Sequence, residues 1–177
     1  MNGLVALVAL LGAGSSGIPL IGRVGGIAIG STTLPAFVKA HGRGLTFKTD
    51  PIAGGCWFDR TSRCLIDTSS YRPDGTIEEL DVTFMQTNST TVNGIAVPEI
   101  RVRDRDLGLL AVLRRGMQQW QVEKAIGHSL DRHGQVRLTG TVGEHRASEY
   151  WRVWFDFGPD GLTGFLAWCG ANRPGPH

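Results

Sequence analysis

The chain has 177 residues, enough for one domain that buries a sizeable core without disulfide or metal staples. Its 18 Lys and Arg against 16 Asp and Glu leave a net charge of +2, which excludes the strongly basic face of a nucleic-acid binder. The charge is unevenly spread: residues 1–49 hold no Asp or Glu, and ten of the 25 glycines fall within the first 44 positions.

Residues 3–22 form a run of twenty uncharged, mostly apolar residues. That is long enough to cross a hydrocarbon core of about 30 Å at about 1.5 Å per helical residue. Within it, Gly12-Ala13-Gly14-Ser15-Ser16-Gly17 has the GxGxxG spacing of a dinucleotide-binding turn. That chemistry needs a helix opening on the glycines and an acid about 20 positions on for the ribose hydroxyls. Gly22, Gly25 and Gly26 weaken such a helix, and the first acid in the chain is Asp50. A small-residue run in a membrane or signal segment is the simpler reading.

Residues 4–11 and 13–17 supply the apolar and small-residue regions of a secretory signal, but Met1-Asn2 offers no basic side chain, which argues for a retained anchor over a cleaved leader. Arg23, Lys39, Arg43 and Lys48 all follow the run, so the positive-inside tendency sets the main domain on the cytoplasmic side. A second apolar stretch, residues 24–38, is short and broken by Gly25, Gly26, Gly30 and Pro35; it suits a short hairpin or an interfacial segment. Membrane association is thus expected through residues 1–38. The alternative is an apolar N-terminal element buried in a soluble fold.

From residue 45 the pattern turns to antiparallel sheet. "GLTFKT" is a short strand, and "CWFDRTSRC" reads as a reversal through Asp59-Arg60-Thr61 that sets Cys56 opposite Cys64, within disulfide reach. A cytoplasmic domain keeps these two and Cys169 as free thiols. Gly55-Cys56-Trp57 has the GxW form found at the first strand of lipocalin-like barrels, and no property is carried over on three residues. In "CLIDTSSYRPDGTIEELDVTF" the turn Pro73-Asp74-Gly75 joins two extended runs and sets Ile66 facing Val82 and Cys64 facing Phe84. Asn88-Ser89-Thr90 is a glycosylation sequon, meaningful only in an exported eukaryotic chain. "IAVPEIRVRD" is a further strand that Pro98 moves to an edge.

Residues 106–126 predict one amphipathic helix. Leu109, Leu113, Met117 and Trp120 make an apolar stripe with Leu110 beside it, while Arg114, Arg115, Gln118, Gln119 and Lys124 take the other side and Gly116 weakens it. The last unit, "YWRVWFDFGPDGLTGFLAWCG", repeats the turn as Pro159-Asp160-Gly161. Its loop geometry sets Gly158 opposite Leu162, Trp154 opposite Leu166 and Arg152 opposite Trp168. Alternation puts Trp151, Val153, Phe155 and Phe157 on a core face, and Tyr150, Arg152, Trp154 and Asp156 on the other. Tyr150, Arg152, Trp154 and Trp168 are therefore the candidate ligand-binding residues, since Trp, Tyr and Arg dominate recognition surfaces and arginine stacks on indole. The alternative covers this face with the helix or the N-terminal region as a second core layer.

Catalytic residue types are scarce. His128, Ser129, Asp131 and His133 crowd one turn-like stretch, followed by Glu144 and His145, and local spacing does not build a nucleophile, base and orienting acid. No cofactor and no metal are called for by any pattern. The expectation is an α+β domain over residues 45–170, an antiparallel sheet of about six to seven strands, open or barrel-like, with one packed helix. An apolar leader or anchor over residues 1–44 precedes it and a polar tail over 171–177 follows. The expected function is a membrane-tethered or exported binding module for a protein or small molecule, without catalysis and without nucleic acid. The rivals are a hydrolase built on the region from His128 to His145 and a structural membrane component.

Overall fold

The computed structural model describes residues 20–86, 91–92, 94–141 and 148–171. The N-terminal part forms a small hairpin, β1 (Arg23–Val24) and β2 (Ile27–Ala28), then helix α1 (Leu34–His41). Four strands follow in order: β3 (Leu45–Thr49), β4 (Ile52–Asp59), β5 (Cys64–Ser70) and β6 (Glu79–Phe84). Short pieces β7 (Thr91–Val92), β8 (Ile95–Ala96) and β9 (Glu99–Ile100) lead to helices α2 (Leu109–Val112) and α3 (Gln119–Ile126). The chain closes with β10 (Gln135–Thr141), β11 (Ser148–Gly158) and β12 (Gly161–Ala171).

Seven strands form one antiparallel sheet in the order β10-β11-β12-β6-β5-β4-β3. Two sequential meanders are thus joined where β12 pairs with β6, Phe165 opposite Val82 and Leu166 opposite Asp81. β9 adds in parallel to the end of β4, with Phe58 opposite Glu99. The outer strands β3 and β10 do not pair with each other, so the sheet is open and the barrel alternative is corrected. The fold is mostly β with three short helices among the described residues.

Alternation decides which face is wet. On one face Trp57, Ile66, Leu80, Val82, Trp151, Val153, Phe165 and Ala167 are buried. They are covered by Leu109, Leu110, Leu113, Val122 and Ile126 from the helical region and by Ile21, Val24, Ile27, Ile29 and Phe37 from the N-terminal segment. Residues 20–44, part of the stretch read as leader or anchor, therefore contribute these five side chains to the sheet's own core. Two indole N–H groups tie them there: Trp151 Nε1 donates to the Ile29 carbonyl at 3.2 Å and Trp57 Nε1 to the Gly42 carbonyl at 3.1 Å. Such bonds contribute about 1 kcal/mol each. Backbone pairing adds Gly30 N–H to the Ile77 carbonyl and Ile77 N–H to the Thr32 carbonyl, both near 2.8–2.9 Å. Helix α1 carries the cap chemistry for its place: Thr33 Oγ1 accepts from the Ala36 N–H, Pro35 stands in the first turn, and Gly42 ends it.

The single helix expected over 106–126 is instead two. Leu109, Leu110 and Leu113 are buried as the stripe requires, but Gly116 takes φ 82° and Trp120 is 62 % exposed. The break has a tertiary cause: Gly116 N–H donates to the Leu162 carbonyl and Leu162 N–H donates to the Met117 carbonyl, each at 2.8 Å. The turn between the helices is clasped to the β11–β12 hairpin, and an unbroken helix would forfeit both bonds.

The hairpin registers agree with the turn reading in most positions. Ile66 opposes Val82 and Cys64 opposes Phe84; Trp154 opposes Leu166 and Arg152 opposes Trp168. At the second turn, however, Gly158 pairs with Gly161 and Phe157 with Leu162, and a bulge at Thr163 restores the expected register beyond it. The β4–β5 reversal is also wider than expected. Asp59 pairs with Cys64 and Cys56 with Asp67, so the two cysteines lie on opposite faces and do not face each other. The cause is Asp59, whose carboxylate accepts from the Thr61, Ser62 and Val102 N–H groups and so holds a four-residue turn. Cys56, Cys64 and Cys169 are free thiols.

No helix among the described residues is long and apolar enough to cross a membrane. The GxGxxG run and most of the twenty-residue stretch lie outside the described residues, as do the sequon, Glu144, His145 and most of the tail.

Candidate functional site

The sheet's second face is the candidate site, and the strand registers assemble it row by row. One row runs Gln135, Trp154, Leu166, Asp81, Asp67, Cys56, Leu45 across all seven strands. The neighbouring row runs Arg137, Arg152, Trp168, Glu79, Ser69, Gly54, Phe47. Arg152, Trp154, Leu166 and Trp168 are half-buried, while Asp67, Asp81, Arg137 and Asp156 are exposed. The helices and the N-terminal segment bury the opposite face.

Three of the four sequence-predicted residues meet here. The Arg152 guanidinium carbon lies 5.2 Å from the centre of the Trp154 ring, a cation stacked two residues along one strand. Trp168 lies across from Arg152 on β12. Tyr150 pairs with Thr139 and Gly170 in the backbone register, and its side chain lies outside the described residues. Arg137 directly opposes Arg152, so two like charges share one cross-strand position beside the indoles.

The middle of the face has the opposite sign, and sequence reasoning missed it. Asp67 and Asp81 are directly opposed. Asp81 stays open to solvent, yet partial desolvation by neighbouring side chains raises its carboxyl above the ordinary range, and the charges of Asp156, Asp67 and Glu79 raise it further. Asp67 is raised by the same desolvation and by Glu79, against the N–H of Thr68. Burial and the two aspartates also push the Cys56 thiol up to about 11. The signal was available, because the Pro73-Asp74-Gly75 register that pairs Ile66 with Val82 also pairs Asp67 with Asp81. The face thus runs from a cationic, aromatic end at β10–β12 to an acidic middle at β5–β6.

The histidine region borders the cationic end. His128, Ser129 and Asp131 line an open groove of about 550 Å³ together with Gln135, Arg137 and Arg152. Asp131 Oδ1 accepts from the His133 N–H at 2.8 Å and the Gln135 N–H at 2.9 Å. The Gln135 N–H first, and then that of His133, holds the Asp131 carboxyl below its ordinary range. The acid therefore shapes a turn, and among the described residues no imidazole donates to it. His133 Nε2 accepts from Arg132 Nε at 2.9 Å, and among the described residues no hydrogen bond joins Ser129 to His128 or His133. No group of three or more metal-ligating side chains converges among the described residues.

The fold and face define an open antiparallel sheet, covered on one side and carrying a polarised surface on the other. Comparison with protein-family models, with curated proteins and with solved structures gives no match.

Proposed function

We propose that this chain is a non-catalytic binding module that recognises a protein partner on the open sheet face. The observation that carries the reading is the Arg152–Trp154 stack, flanked by half-buried Leu166 and Trp168 on the face away from the core. Indole and guanidinium groups supply large contact area and directional hydrogen bonds at low ordering cost. The broad, polarised face suits a protein surface with acidic groups to meet Arg137 and Arg152 and basic groups to meet Asp67, Asp81 and Asp156. Attachment to, or export across, a membrane belongs to the same proposal. It rests on the uncharged run, of which Ile21 and Gly22 are buried in the fold and Leu20 is exposed, leaving residues 3–19 for that role.

The test compares affinity capture by the full chain with capture by a Trp154→Ser/Trp168→Ser variant. Both substitutions lie outside the core, and each should cost about 1 kcal/mol or less, against about 3–5 kcal/mol for truncating buried Trp151. A partner retained by the full chain and lost by the folded variant supports the face; equal recovery removes it. The hydrolase reading keeps one supporting observation, the shared groove of His128, Ser129 and Asp131. Loss of a turnover on replacing His128, His133 and His145 together would favour it.

A further inference from the structure

At the end of the sheet remote from the polarised face's cationic rows, the β4–β5 turn, the tail of β6 and the end of α2 meet around a second groove of about 420 Å³. Ser62, Arg63, Phe84, Met85, Arg114 and Arg115 line it, and no Asp or Glu among the described residues does. The turn and the tail of β6 are joined by local bonds, Met85 N–H donating to the Arg63 carbonyl at 3.0 Å and Arg63 Nη2 to the Gln86 carbonyl at 3.5 Å.

Three features set these arginines apart from a solvated surface. First, the ion pairs among the described residues join Arg60 to Glu99, Arg72 to Glu78 and Arg105 to Asp106, and none involves Arg63, Arg114 or Arg115. Secondly, the Arg114 guanidinium is held in place, because Nη1 donates to the Leu110 carbonyl at 2.7 Å and the Leu113 carbonyl at 2.6 Å at the end of α2. A guanidinium fixed by one nitrogen keeps its other donors at a set orientation and loses little freedom when they are used. Thirdly, Arg63 has φ 54°, a left-handed conformation that costs a non-glycine residue free energy and gathers at ligand clamps. The nearest acid in the turn, Asp59, is fully buried and committed to three backbone N–H groups.

We propose that this groove binds the phosphoryl group of a small phosphorylated molecule. Three guanidiniums and the Ser62 hydroxyl offer more donors than one carboxylate can accept, and match a tetrahedral dianion that takes charge-assisted bonds from several directions. The volume exceeds that of a phosphate alone, and Phe84 and Met85 give the rest of the molecule an apolar wall. The site is independent of the partner-binding face and stands or falls separately from it.

The experiment titrates the full chain with inorganic pyrophosphate at constant ionic strength, read by calorimetry, alongside Arg115→Ala, Arg63→Gly and Arg137→Ala variants. Arg63→Gly is informative because glycine adopts φ 54° freely, so it removes the guanidinium without breaking the turn. Saturable binding is expected, weakened at least tenfold by Arg115→Ala and by Arg63→Gly, with the unfolding midpoint of Arg63→Gly held or raised, and unchanged by Arg137→Ala in the other groove. Absence of saturable binding overturns the site. So does equal binding by the Arg63 and Arg115 variants, or a loss in Arg137→Ala as large as in Arg115→Ala, which would mark general attraction of anions.

Discussion

At the scale of single residues, Asp59 sets the geometry of the β4–β5 turn. Its side chain is fully buried, and its two oxygens satisfy three N–H groups, one of them on Val102 far along the chain. Asp59→Ala leaves the buried Val102 N–H unmet, releases the two turn N–H groups and opens a cavity, and is expected to destabilise the protein by about 3 kcal/mol; Asp59→Asn, which keeps one acceptor oxygen, by about 1–2 kcal/mol. Urea midpoints measure both. Asp81 makes the contrary prediction. A carboxyl raised in the folded protein above its ordinary value of about 3.8 stabilises below that value, and the contribution is lost as pH rises through the folded value. Asp81→Asn removes the repulsion with Asp156, Asp67 and Glu79, so its urea midpoint should exceed that of the parent at pH 7. The two should converge near pH 3. A parent that is more stable at pH 7 would contradict the crowding of charge on this face.

At the scale of elements, the two hairpins and the broken helix depend on one another. Gly161 has φ 102°, and a Cβ placed there would collide with the Gly116 carbonyl across the clasp. Gly161→Ala is therefore strained in its own backbone and blocked by a neighbour that is also backbone. A loss of about 3 kcal/mol or more is expected, with increased hydrogen exchange at Gly116 and Leu162. Gly116→Ala meets only the Asp160 carbonyl at 3.4 Å and should cost less, about 1–2 kcal/mol for its positive φ. If Gly161→Ala proves the milder change, the clasp does not constrain the fold.

These elements also show how far the pattern of residues was legible. Alternation and the two Pro-Asp-Gly turns located β5, β6, β11 and β12 with their pairing, because both are local: one concerns neighbours along a strand, the other dihedral preferences within a turn. The same alternation separated Arg152 and Trp154 from Trp151 and Val153. The apolar stripe over 106–126 was real as far as Leu113, yet it does not report that Leu162 takes the hydrogen bonds of Gly116 and Met117. The cysteine pairing failed similarly, because the partner that widened the turn, Val102, lies outside it. Helix α1 was readable from its Thr-Leu-Pro start and Gly end, signals outweighed by the hydropathy of the surrounding stretch.

At the scale of the whole molecule, the N-terminal segment covers the core face of the sheet. Ile21, Val24, Ile27, Ile29 and Phe37 are each 2 % exposed or less. At about 1.5–3 kcal/mol per buried side chain, their removal is comparable with the whole net stability of about 5–15 kcal/mol for a domain. A chain beginning at residue 44 is expected to show no cooperative unfolding transition, whereas one beginning at residue 20 should keep it. Fractionating cells that express the full chain and the 20–177 chain tests the remaining proposal: the full chain should sediment with membranes and the shorter one should not. Recovery of both in the soluble fraction would remove the membrane role of residues 3–19.

Charge balance, strand alternation and turn chemistry were determined by the sequence alone, because each depends on what a residue is or on neighbours a few positions away. The order in which β12 joins β6, the opening of the sheet and the location of the apolar N-terminal residues were decided only by the tertiary structure. Hydropathy records how strongly a side chain avoids water and not where it goes; residues 20–38 read alike for lipid and for protein. What separates the two destinations is a matching surface, here the indoles of Trp57 and Trp151 with their N–H groups aimed at the Gly42 and Ile29 carbonyls, and that surface exists only once distant strands have paired.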